Sequence, residues 1–303
     1  MIRPFRRICV AVSGAALAAG LWLAGPAPVF AAGAPAPAGN AAGSPGADSR
    51  AAAGKAANLP TAQDIAYAFS EAEIIDGFMR TVFGSEGPKA VPRARARVHK
   101  FAGPVRVWIE SHSRFDDRRA SIRAFIRKLD RIIPNLDIAL TKKRDAANMT
   151  IYLVDRGQYR AMVKERVTDK ARATFMEEND CSAVVNTNPD SSLKSALVFI
   201  VVNEGYKSFR HCMVEEITQS LGPVNDDASL SYSIYNDYSE VQGFGVFDWF
   251  ILATVYNRHV KAGMTAAEVL PVLPRAVAES RKAMIRLVNA GAIPRGGVDQ
   301  PAQ

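Results

Sequence analysis

Between residues 59 and 293 the apolar positions recur with two different periods, and the switches between them mark out a succession of elements. From 61 to 83, Ile65, Phe69, Ile74, Ile75, Phe78, Met79 and Val82 form one stripe of an amphipathic helix that Gly84 ends. Val105, Val107 and Ile109 alternate with polar or amphipathic residues, the signature of a half-buried strand. From Asp116 to Ile133, Ile122, Phe125, Ile126, Leu129 and Ile133 share a helical face, with Asp116 or Asp117 as cap and Pro134 as stop. Two alternating strands follow, at 136–141 and 149–155, then a helical stretch at 157–178 and a short strand from Cys181 to Asn186. Ala196 to Val202 is uninterrupted apolar sequence, as a central strand buried on both faces requires. A helix from about Ser208 to Leu221 comes next, then an apolar helix from Phe247 to Tyr256. Thr265 and Glu268 form a capping box that opens a C-terminal helical region. No internal repeat interrupts this order, which predicts an α+β fold with a mixed sheet packed on helices.

The chain ends are of a different composition. Arg3, Arg6 and Arg7 precede an apolar stretch from Ile8 to Ala24, and Val29-Phe30-Ala31 offers small residues for cleavage. Residues 1–31 therefore read as a signal peptide. An uncleaved membrane anchor is the alternative, and the breakers Pro26 and Pro28 favour cleavage. Cys9 lies too early, against the basic residues, to serve as a lipid-attachment cysteine. Residues 32–58 are Ala, Gly and Pro with few charges and read as a disordered tether; 59–293 form a single domain, and 294–303 a disordered tail. The mature chain is expected to be exported, periplasmic or extracellular, with no integral membrane segment after signal cleavage.

The formal charge of +8 falls to +5 (8 − 3) once the three arginines of the signal are removed. That mild excess excludes the concentrated basic patch of a nucleic-acid binder. Arg118, Arg119, Arg123, Arg127, Lys128 and Arg131 fall on one helix and read as a solvated face, with contact to anionic envelope polymers as the alternative. Signal removal leaves two of the three cysteines, Cys181 and Cys212, and an even pair in an exported chain predicts a disulfide. A free-thiol nucleophile is the lesser reading.

The segment Glu215-Glu216-Ile217-Thr218-Gln219-Ser220-Leu221-Gly222-Pro223-Val224-Asn225-Asp226 carries the candidate chemistry. In the zinc-protease pattern H-E-x-x-H-x-x-G-x-x-H, two histidines lie one helical turn apart beside a general-base glutamate. Here Glu215, Gln219 and Asn225 stand at the three metal-ligand positions, while Glu216 and Gly222 match the pattern. On a helix Glu215, Glu216 and Gln219 point together toward a cleft or solvent, with Met213, Val214, Ile217, Ser220 and Leu221 on the core side. Gly222 lets the chain leave the helix in a left-handed conformation. Residues 215–237 resemble the matrixin-type metzincins, with Ser233-Ile234-Tyr235-Asn236 at their Met-turn and Tyr235 in place of methionine. A closer resemblance is to the bacterial exported family known as domain of unknown function 2927. It rests on Cys212, Glu215-Glu216, Gln219, Leu221-Gly222, Asn225-Asp226, Asn236-Asp237, Asp248 and Gly263-Met264, over about residues 65–270. These resemblances imply a zincin-like scaffold with a degenerate metalloprotease motif, a motif helix, a Met-turn-like loop and C-terminal helices.

Gln219 and Asn225 are weak neutral donors, so no cofactor is expected, with zinc or another divalent metal left open. A hard cation on Glu215, Asp226 and Asp227, or a metal on the pair His211 and Glu215, is the functional alternative to plain solvation. His99, His112 and His259 carry no motif. Glu215 and Glu216, adjacent on a helix, diverge by about 100°, so Glu216 with Asp226 or Asp237 is the better-placed acid–base pair. The leading expectation is a non-catalytic protein that binds an extended peptide or an envelope protein by strand addition, with Cys181 and Cys212 fixing the cleft wall. Its rival is an active hydrolase, peptidase or glycan-directed, with Glu216 as general base. A third reading is a structural role for Glu215 and Glu216 in the core.

Overall fold

The alternating segments assemble into one mixed sheet. The computed structural model describes residues 9–13, 59–84, 92, 95–236, 238–239 and 241–299. The tether 32–58, most of the signal segment and Asp237 lie outside the described residues. Strands β2 (Val105–Ser111), β3 (Ile138–Leu140), β4 (Met149–Val154), β5 (Cys181–Thr187) and β6 (Leu193–Val201) run in the order β5-β6-β4-β2-β3. All neighbours are parallel except β5, which pairs antiparallel to β6 from Cys181↔Ile200 to Thr187↔Leu193. A further strand, β1 (Cys9–Ser13), lies parallel along the outer edge of β5, from Cys9↔Ser182 to Ser13↔Asn186.

Both faces of the sheet are covered, which explains why β6 is apolar without alternation. On one face Tyr152, Val154, Val184, Phe199 and Val201 pack against Tyr159, Met162, Val163 and Met176 of α4 (Arg156–Arg166) and α5 (Lys170–Met176). On the other, Val107, Ile151, Ala183, Val198 and Ile200 belong to the main core. That core is shared with α2 (Glu71–Val82), α3 (Asp116–Ile132), α6 (Tyr206–Gln219), α7 (Val246–Val255) and α9 (Leu273–Asn289). Helix α7 is mostly apolar because it is buried from Phe247 to Val255: Phe247, Trp249, Phe250, Ile251 and Leu252 are all at most 1 % exposed. Each such side chain contributes on the order of 1.5–3 kcal/mol by leaving water. The Trp249 indole also donates to the Ile132 carbonyl at the end of α3 (2.9 Å).

The structure departs from the sequence reading in four places. The stripe at 61–83 is divided into α1 (Ala62–Ala66) and α2, because Ser70 and Glu73 form a capping box that starts a new helix within it. The stretch 157–178 likewise contains two helices, with Asp169 capping the second. Phe115, not either aspartate, holds the N-cap position of α3. The C-terminal tail is built in as far as Asp299: Val298 is buried, and Asp299 pairs with Lys128 (2.8 Å) and Arg210 (2.7 Å) and accepts the Phe244 N–H. The capping box of Thr265 and Glu268 opens α8 (Ala266–Val269) as the sequence predicts. No helix among the described residues is long and apolar enough to cross a membrane.

Candidate functional site: an acidic helix turned into the core

Helix α6 follows β6 through Asn203-Glu204-Gly205, where Gly205 has φ +98° and holds the N-cap position. The helix then crosses over β5 and β6, and every residue from His211 to Val224 is buried. Glu215, Glu216 and Gln219 are 0 % exposed. The expectation that these three face a cleft or solvent is therefore corrected. Spacing puts them on neighbouring turns, but the sheet and the 233–236 turn close over the face they share.

Each polar group on the helix meets a specific neighbour. His211 Nδ1 lies 2.7 Å from the Val241 carbonyl, so this nitrogen carries a proton and donates it. Its Nε2 faces Glu215 Oε2 at 3.0 Å, an ion pair when the ring is protonated. Four residues on, the Gln219 amide donates to Asp226 Oδ1 (2.7 Å). His211, Glu215 and Gln219 thus form an i, i+4, i+8 ladder along one face of α6, and half-buried Asp226 continues it toward the surface. Glu216 turns toward the start of β5, near enough to Tyr159 to raise that phenol's pKa, second to the larger effect of burial. The Tyr159 hydroxyl is 2.6 Å from Ser182 Oγ.

The two carboxylates converge rather than diverge. One oxygen from Glu215, one from Glu216 and the Cys181 sulfur all lie within 4.8 Å of one another. The side-chain torsions of glutamate overcome the 100° between adjacent helical positions. The geometric objection to this pair does not hold. Cys181 and Cys212 form the predicted disulfide, which ties the first residue of β5 to α6.

The other predicted ligand positions are engaged elsewhere. Gly222 leaves the helix at φ +146°, and a Cβ there would lie 2.6 Å from the His99 carbonyl oxygen, so glycine is required. Asn225 donates its amide to the carbonyls of Arg80 (3.0 Å) and Asp226 (2.8 Å), which fastens the loop to the end of α2. Asp227 binds Ser229 through its backbone N–H and hydroxyl and pairs with Arg80 (3.3 Å). Among the described residues, the donor group brought together is Cys181, Glu215 and Glu216, not Glu215, Asp226 and Asp227. Nor do the residues fit a zinc triad at 215, 219 and 225. The Gln219 and Asn225 amides are committed to Asp226 and to the end of α2, and neither supplies an imidazole.

The turn at 233–236 packs against this helix. Tyr235 is 0 % exposed, and burial with the negative charges of Asp248, Asp226 and Glu215 raises its pKa well above normal, partly offset by the Thr218 hydroxyl. Asp248 holds the turn in place. It accepts from the Ser233 hydroxyl (2.6 Å), the Ile234 N–H (3.2 Å) and the Gly245 N–H (2.8 Å). Burial raises the Asp248 pKa to about 6 against the pull of those donors. The capping-box spacing from Gly245 to Asp248 is legible in sequence, but the reach back to residue 233 is not. Lys100 was also silent there: its ammonium caps α7 by donating to the carbonyls of Val255 (2.9 Å), Asn257 (3.3 Å) and Val260 (2.8 Å). His99 Nδ1 contacts the Ser191 carbonyl, His112 pairs with Glu110, and His259 with Glu279, so each of these histidines has a local structural partner.

Comparison with curated proteins and with solved structures returns no match to this chain. A protein-family model does match, over residues 71–275, a span that takes in the acidic helix, the turn beneath it and Asp248. By that match the chain belongs to the family described as "Protein of unknown function (DUF2927)".

Proposed function

We propose that this is an exported, non-catalytic protein that binds an extended peptide along the outer edge of β5. The observation that carries this reading is the pairing of residues 9–13 with that edge, five residues in parallel register. The edge can therefore accept an added strand through its main chain. If residues 1–31 are removed as a signal peptide, the mature chain has this edge open to a partner. Strand addition draws its affinity from backbone hydrogen bonds and its selectivity from alternate side chains. Here the side chains of β5 toward the main core are small or branched (Ala183 and Val185), which favours a short apolar partner. The Cys181–Cys212 bridge fixes one end of the edge against α6.

Complete burial of Glu215 and Glu216 weighs against the hydrolase reading, since neither carboxylate is exposed to a substrate arriving from solvent. The zincin-like descent of the scaffold belongs to the same proposal. It is supported by the apolar strand feeding α6, the Gly222 exit and the turn at 233–236 under the helix.

The test uses the mature chain from Ala32 and a labelled peptide copying residues 6–15, with serine in place of Cys9. Fluorescence anisotropy should show saturable binding that alternate backbone N-methylation abolishes and that Glu216→Gln leaves unchanged. Absence of binding, or binding indifferent to N-methylation, would overturn strand addition. Loss of binding in a folded Glu216→Gln variant would move the site onto α6.

A further inference from the structure

We propose that α6 and the start of β5 hold a latent zinc site that opens when the Cys181–Cys212 disulfide is reduced. The ligands are the Cys181 thiolate and the carboxylates of Glu215 and Glu216. Their donor atoms already lie within 4.8 Å of one another, and all three residues are fully buried. Zinc binds thiolate sulfur at about 2.3 Å and carboxylate oxygen at about 2.0–2.2 Å. Tetrahedral donors therefore sit roughly 3.5 Å apart, so the present spread of up to 4.8 Å has to contract by at most about 1.3 Å (4.8 − 3.5), which the glutamate torsions can supply. His211, 3.0 Å from Glu215 Oε2, stands behind one ligand and orients it.

The disulfide is the gate. In the oxidised chain the Cys181 sulfur is neutral and bonded to Cys212, and it makes a poor metal donor. Reduction by a phosphine breaks the S–S bond. Phosphorus is oxidised by two electrons and takes the oxygen of one water, and that water's two protons give two thiols. Zinc then displaces the Cys181 thiol proton to solvent. A thiolate and two carboxylates buried together repel one another in a low-dielectric core, and a divalent cation offsets that repulsion. Cys212, Glu215 and Glu216 share one face of α6 at i, i+3 and i+4, so the gate and two of the ligands lie on a single rigid element.

Cobalt(II) serves as the probe, because a thiolate ligand gives it a near-ultraviolet charge-transfer band and zinc displaces it. The full mature chain is titrated air-oxidised, after phosphine reduction, and as Cys212→Ala in air, which frees Cys181 without a reductant. The oxidised chain should show no band. The reduced chain and Cys212→Ala should each bind one equivalent with the band, and adding Glu216→Gln to Cys212→Ala should weaken binding at least tenfold. Cys181→Ala should lose the band. A band of equal strength in the oxidised chain, its persistence in Cys181→Ala, or cobalt uptake without it would overturn the proposal. So would a reduced chain and a Cys212→Ala chain that both lose their fold, followed by circular dichroism, and are not restored by cobalt.

Discussion

Asp248→Asn tests whether a single buried carboxylate fastens the 233–236 turn to α7. The wild-type carboxylate accepts three hydrogen bonds, from Ser233, Ile234 and Gly245. An asparagine keeps one acceptor oxygen and turns an amide donor toward one of those donors. Leaving a buried N–H unsatisfied costs about 1–3 kcal/mol at neutral pH. The pH dependence supplies a second, sharper measure. The folded pKa of Asp248 is raised to about 6 from an ordinary 3.8, so the folded state holds this proton more tightly than the unfolded state. Its contribution is fully present below the unfolded value and is lost as pH rises through the folded one. The whole span corresponds to about 3 kcal/mol, of which roughly 2 kcal/mol falls between pH 4.5 and 7.5. Urea unfolding of both proteins across that range cancels the titration of every group they share. The wild-type advantage should be smallest at pH 7.5 and grow by about 2 kcal/mol toward pH 4.5. A constant gap, or one that narrows on acidification, would refute the reasoning.

Replacing both Cys181 and Cys212 by serine removes a cross-link between residues 31 apart. Loop entropy sets the loss at roughly 4 kcal/mol, or about 8–16 °C in Tm for a domain of this size; a drop below about 1 kcal/mol would mean that the bridge adds little to the fold. Gly222→Ala places a Cβ 2.6 Å from the His99 carbonyl oxygen at a φ of +146°. It should cost about 1–3 kcal/mol or more in chemical denaturation, and wild-type stability in that variant would show that the 98–101 segment gives way freely.

Local chemistry made much of the fold legible. Alternation at Val105, Val107 and Ile109 is a property of a single strand, and so is the unbroken run from Ala196 to Val202 once both faces are covered. The division of 61–83 into two helices was also written locally, in Ser70 and Glu73, but a continuous apolar stripe masks a cap that lies within it. The pairing of Cys181 with Cys212 followed from parity once export was expected of the chain.

For the site, the sequence by itself determined that Glu215, Glu216 and Gln219 lie close together on one helix and that Gly222 ends it. Only the tertiary structure decided what that face meets. Helical spacing fixes which side chains are neighbours, yet says nothing of what packs over them, so a polar face reads as solvent-facing until distant segments cover it. Here those segments are β5 and the turn at 233–236, and the carbonyl that receives the His211 proton comes from Val241, thirty residues away. The diversion of Asn225 to the end of α2 has the same origin, across 145 residues of chain. Contacts at such separations are selected by the packing of the whole core, and no local pattern of residues encodes them.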